Sequence, residues 1–138
     1  KGSKENAEMI LDTDFLIDLM NSKKEAVEKL DEFLDSEESI AMSAITVMQL
    51  FHGVGKSNKP QEEENKIHSV LHGLVTYSLD FELARKSGKI EGELAKKNMA
   101  IGYADTIIAA TALSLNEPVV TRNTKDFSKI AGVELITY

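Results

Sequence analysis

Four places in the chain carry side chains able to do chemistry. Asp12 and Asp14 follow the short apolar run Ile10-Leu11, and Asp105 opens the nearly all-apolar stretch from Ala104 to Leu113. Ser43 follows Ser39-Ile40-Ala41-Met42, with Thr46 and Gln49 one helical turn apart beyond it, and Thr121-Arg122-Asn123 follows Val119-Val120, with Asp126 close behind. Carboxylates in such positions bind divalent cations or exchange protons, and neighbouring hydroxyls and amides orient them. Each has a plainer reading. Asp12 could simply end a strand, Asp14 and Asp105 could serve a helix N-terminus, and Asn123-x-x-Asp126 resembles a capping box.

What these residues could do together depends on the elements that carry them. Residues 10–12 read as a buried strand. Phe15, Leu16, Leu19 and Met20 recur at helical spacing, and Ser22 can cap a second helix whose apolar face is Ala26, Val27, Leu30, Phe33 and Leu34. Residues 39–42 form a second short strand, from which Ser43 caps a helix ending near Gly53 or Gly55. A polar loop is expected over residues 56–64, with Pro60 where a helix could begin and run to about Leu74. Residues 75–79 read as a third strand. Asp80 caps a long helix through Lys97, a buried helix spans residues 104–113, and residues 119–121 and 133–137 supply two last strands.

Strands alternating with helices imply an α/β three-layer sandwich around a mostly parallel, roughly five-stranded sheet. Residues 9–138 read as a single domain, and residues 1–8 as an N-terminal tail or expression remnant ahead of Met9. In such a sheet, ligands bind beyond the strand C-termini. Asp12, Ser43 and the Thr121–Asn123 turn all follow strands, and Asp105 opens a helix, so all four can reach one crevice.

Sixteen Lys and Arg against 23 Asp and Glu give a net charge of −7, which argues against a broad basic surface gripping nucleic acid mainly by its phosphates. An acidic cluster can still meet phosphate through a divalent cation. The absence of Cys removes disulfides, thiolate metal sites and cysteine nucleophiles, and it suits a reducing cytoplasm. No run approaches a membrane span and no signal peptide is evident, so a membrane role is not expected. His68 and His72, four apart, lack an obvious third ligand for zinc. Lys86, Lys89, Lys96 and Lys97 read most simply as a solvated helix face.

The pieces Ile10-Leu11-Asp12-Thr13-Asp14 with Leu16-Ile17-Asp18, Ser43 to Leu50 with Gly53, Asp105 to Ala112, and Val120 to Phe127, in this order, resemble the PIN-domain ribonucleases, and within them the VapC-like toxins of toxin–antitoxin pairs. The resemblance implies a divalent-metal-dependent endoribonuclease leaving 5′-phosphate and 3′-hydroxyl ends. Asp12, Asp105 and an amide or acidic group from Asn123 or Asp126 would hold Mg²⁺ or Mn²⁺, and Thr46 and position 49 would complete the catalytic group. Asp14, Ser43, Thr121 and Arg122 would orient these residues or touch substrate. RNA is then the substrate, a cognate antitoxin protein the partner, and a homodimer the expected assembly.

One position departs from the family pattern. Gln49 stands where the family usually has Glu, offering a hard cation one neutral oxygen and no general base. Either Asp14 or Asp126 supplies the missing charge, or the chain is a low-activity member, or a Glu has been replaced. A catalytically inactive binding module of the same fold is therefore one alternative. A haloacid-dehalogenase-like phosphatase is the other, prompted by Asp12-x-Asp14, although the Gly-Thr pair and the later Gly-Asp-x-x-x-Asp element of that family are missing.

Overall fold

The computed structural model describes residues 8–138. Apart from Glu8, the expected N-terminal tail lies outside the described residues. Five parallel strands form the sheet: β1 (Met9–Leu11), β2 (Ile40–Ser43), β3 (Val75–Tyr77), β4 (Val119–Val120) and β5 (Leu135–Ile136). Their order is β3-β2-β1-β4-β5, with Ile10 opposite Ala41 on one side and Val119 on the other. The chain thus starts in the middle, winds outward through β2 and β3, then returns to the other flank of β1. The strand order reverses between β1 and β4, and at such a switch point the crossovers leave on opposite faces and open a crevice.

Alternation along the strands divides the interior into two cores. Met9, Leu11, Met42 and Val120 face one side. There they pack with Phe15 and Leu16 of α1 (Thr13–Met20), Ala26 and Phe33 of α2 (Lys24–Asp35), Leu50 of α3 (Ala44–Lys56) and Ile67 of α4 (Pro60–Leu71). Ile10, Ala41 and Val119 face the other side. They meet Leu94 of α5 (Phe81–Lys96), Ile108, Ala109 and Ala112 of α6 (Tyr103–Leu115), and Phe127 of the single-turn α7 (Thr124–Phe127). α6 is buried nearly all round, as its composition predicts, and its alanines let it lie close against the sheet.

Several local expectations need correction. Ser22 does not cap α2. It adopts a left-handed φ of 54° in the turn before it, and Lys23 takes the cap position without a side-chain bond. α3 does not stop at Gly53 or Gly55 but continues through both to Lys56, because glycine weakens a helix without ending it unless the backbone turns left-handed there. The polar stretch expected as a loop over residues 56–64 is mostly the first turn and a half of α4. Only residues 57–59 connect the two helices, and Pro60 fits the first turn, where no N–H is required of it. α4 ends at Leu71 rather than Leu74, and β5 is shorter than residues 133–137.

Candidate active site

β1 ends at Leu11, and Asp12 is the N-cap residue of α1, yet its carboxylate does not cap that helix. It accepts instead a 2.7 Å hydrogen bond from the Thr121 hydroxyl, across the switch point between β1 and β4. The Thr121 oxygen in turn accepts from the Asn123 backbone N–H at 2.8 Å. Asp12 is only 2% exposed and Thr121 is fully buried, so the carboxylate is fixed in a place from which most water is excluded.

α6 brings Asp105 to the same place from its first turn. Asp12, Thr13, Asp14, Gln49, His52 and Asp105 all line one open depression of about 490 Å³. Burial, partly offset by the Thr121 bond, and the nearby charges of Asp105 and Asp14 raise the Asp12 pKa to about 7. Burial and the charges of Asp14 and Asp126 raise that of Asp105 to about 6. Carboxylates crowded away from water in this way are short of positive charge.

The remaining positions take distinct parts. Thr46, fully buried, lies 2.9 Å from the Thr13 hydroxyl, and Thr13 donates to Gln49 Oε1 at 2.6 Å, so a chain of hydroxyls fixes how Gln49 faces the depression. Ser43 is also fully buried and caps α3 by accepting from the Ile45 N–H at 3.1 Å. The Asn123 amide oxygen accepts from the Asp126 N–H at the start of α7, as the capping-box pattern suggests. Its amide nitrogen lies 3.4 Å from Asp105 and 3.2 Å from Asp126, bridging the two carboxylates. Asp126 is also 3.4 Å from Lys129. Arg122 points to Asp18, 3.6 Å away, and the buried Asp18 accepts from the Tyr138 hydroxyl at 2.7 Å.

Two features lie beyond the sequence reading. His52 lines the depression one helical turn after Gln49, a spacing of three that the sequence already carried. The Asp18–Arg122–Tyr138 group joins α1, the β4 edge and the chain end, and nothing in local pattern links residues so far apart. His68 pairs with Glu64 of its own helix at 3.2 Å.

No three His, Cys, Asp or Glu side chains among the described residues stand together as a ready cage for a metal ion. The donor chemistry nevertheless fits a hard divalent cation. Mg²⁺ and Mn²⁺ prefer carboxylate oxygens, and Mg²⁺ in particular keeps several waters, so it needs only one or two carboxylates from the protein. Asp12 and Asp105 offer these, with Asp14 and Asp126 close enough to raise the pKa of one or both.

The profile of the PIN domain matches residues 9–133, which take in all four functional segments from Asp12 to Asp126. The chain belongs to the PIN-domain family. This PIN domain is 33% identical to "Ribonuclease VapC1" of Methanocaldococcus jannaschii over 138 residues, covering 100% of this chain and 92% of that protein. It is 30% identical to the "tRNA(fMet)-specific endonuclease VapC" of Salmonella typhimurium over 126 residues, 91% of this chain and 94% of the relative. Its fold superposes on the crystal structure of VapBC2 from Rickettsia felis bound to a DNA fragment from their promoter. The TM-score is 0.84 at 28% identity, with 94% of this chain and 98% of that chain covered.

Proposed function

We propose that this PIN domain is the toxin of a toxin–antitoxin pair, a divalent-metal-dependent endoribonuclease. The observation that carries the reading is the buried Asp12, held by Thr121 at the sheet's switch point and facing Asp105 across one open depression. Asp12 and Asp105 would hold the ion, Mg²⁺ or Mn²⁺, with Asn123 and Asp126 beside them. When bound, it would supply an activated water and a sink for charge developing on the phosphate.

The chain's own residues do the positioning. Thr121 keeps the Asp12 carboxylate from turning into the first turn of α1, where it would cap the helix. The Thr46–Thr13 hydroxyls turn the Gln49 oxygen inward and leave its amide to the depression. Asn123 keeps the Asp105 and Asp126 carboxylates together. Arg122, half-exposed and tethered by Asp18, would be a candidate to take a substrate phosphate. An RNA strand suits the open shape of the depression.

The relatives' ribonuclease and tRNA-endonuclease names, and the toxin–antitoxin complexes among the matching structures, support this substrate class and an antitoxin partner. A homodimer, a cytoplasmic setting and a single domain over residues 9–138 belong to the same proposal. No helix among the described residues is long and apolar enough to cross a membrane.

Gln49 favours one competing reading, a PIN domain that binds its partners without cutting. Cleavage of a mixed RNA with Mn²⁺ by this chain, Gln49→Glu and Asp12→Asn decides between them. Cutting by the Glu variant and none by Asp12→Asn supports the nuclease. Absence of cutting by all three, with any divalent metal, moves the binding module ahead.

A further inference from the structure

Asp105 stands on the first turn of a helix that has no capping side chain of its own. The N-cap of α6 is Gly102, at φ 101° and ψ 156°, a backbone conformation essentially reserved for glycine. The first turn of any helix leaves four N–H groups without intrahelical partners, and a glycine cap contributes no oxygen to them. The preceding helix instead places an acceptor just ahead of that turn, at the N–H of the N-cap residue and of the residue before it. The half-buried Glu91 of α5 accepts from the Ile101 N–H at 3.4 Å and the Gly102 N–H at 3.2 Å, and its Oε1 lies 3.0 Å from the Thr106 hydroxyl. That hydroxyl also reaches the Gly102 carbonyl at 2.7 Å.

We infer that Glu91 is a positioning residue for the active site, fixing the 101–106 turn and through it the place of the Asp105 carboxylate. This rests on the reading of Asp105 as a metal ligand. One carboxylate grips the backbone on the near side of Gly102 and a side chain on the far side. It therefore fixes both the angle at which the chain enters α6 and the rotation of its first turn. Asp105 is the next residue before Thr106, so any loosening of the Thr106 anchor is felt at the ligand. The negative charge also sits at the positive end of the α6 dipole, where it stabilises the turn. Glu91 does not line the depression, so its action passes through the turn that carries Asp105.

The test is Mn²⁺ binding by calorimetry on the full chain, with melting temperature in EDTA measured beside it. Glu91→Gln keeps the shape but replaces one accepting oxygen with a donor facing the Gly102 N–H. It should weaken Mn²⁺ binding about tenfold, the low end of what residues supporting metal ligands contribute. Glu93→Gln removes the same charge from the same helix and should bind as the parent does, separating position from net charge. Thr106→Val removes the gripped hydroxyl without a charge change and should weaken binding in the same direction. It also decides the matter if Glu91→Gln fails to fold. Asp105→Asn tests the underlying reading. If it binds Mn²⁺ as well as the parent, the metal assignment falls. If it loses binding while folded Glu91→Gln and Thr106→Val both retain it, the metal assignment stands and the role of Glu91 is overturned. A loss with Glu93→Gln equal to that with Glu91→Gln also overturns it.

Discussion

Thr13 donates to Gln49 Oε1, and Thr46 supports Thr13 from behind. A Glu in the same rotamer would accept that bond with one oxygen and present the second, with a full charge, to the depression shared with Asp12 and Asp105. Gln49→Glu should therefore tighten Mn²⁺ binding by at least about tenfold, the scale on which ligand-shell changes act. It should also raise RNA cleavage above that of the parent. Calorimetry and a gel assay check the two separately, and tighter binding without cleavage would mean that position 49 serves the metal but not the reaction. Thr121→Val keeps the shape of the buried side chain and removes the donor to Asp12. It should lower stability by about 1–3 kcal/mol, read by denaturant unfolding, because a buried acceptor loses its partner. The lost bond had favoured the charged carboxylate, so Mn²⁺ binding near neutral pH should weaken as well. Asp12, Asp105 and Thr121 were legible because each sits at an element boundary that periodicity locates. Glu91 was not, since a carboxylate on a charged helix looks the same in sequence whether it meets water or the turn of another helix, and the pairing of Asp18 was not, since Arg122 and Tyr138 lie far along the chain from it.

Two elements are held to the site at their first residue, and each can be tested there. Ser43 ends β2 and caps α3, the helix carrying Thr46, Gln49 and His52. Ser43→Ala should reduce stability by about 1 kcal/mol, seen in chemical unfolding, while leaving the carboxylates in place. Gly102 begins α6, and a Cβ there would meet no atom within 4 Å, so the effect of Gly102→Ala isolates backbone conformation from crowding. It should lower stability by about 1–3 kcal/mol and weaken Mn²⁺ binding, because the strain is relieved by turning Asp105 away. Wild-type metal affinity in a destabilised Gly102→Ala protein would show that the turn does not set the ligand's place. The sheet and the large helices follow from apolar spacing, which fixes which face is buried. The misread boundaries have a common cause: helix ends at Gly53, Gly55 and Ser22 are decided by backbone conformation and neighbouring packing, for which residue type is a weak guide. The single turn of α7 was visible only as its Asn123-x-x-Asp126 cap.

The fold brings like charges together at the switch point, and the whole molecule should register this in its stability. Asp12 titrates at about 7 and Asp105 at about 6, against 3.8 for a carboxylate in the unfolded chain. Between these values the folded protein holds protons that the unfolded chain has released. The stability tied to them is fully present below the unfolded pKa and is lost as pH rises through the folded pKa values. In EDTA, the melting temperature should fall from about pH 4 to about pH 7, and Asp12→Asn should flatten the fall, because an amide carries no charge at either end. A divalent cation acts in the opposite direction. It binds the charged carboxylates of the folded state, so Mn²⁺ should raise the melting temperature strongly at the higher pH and little at the lower, where protons compete for the same oxygens. Parallel melting profiles for the parent and Asp12→Asn, with and without Mn²⁺, would mean that the Asp12 carboxylate is neither strained by burial nor used by the ion. A difference that grows from about pH 4 to about pH 7 and shrinks with Mn²⁺ would tie the charge stored in the fold to the chemistry proposed for it.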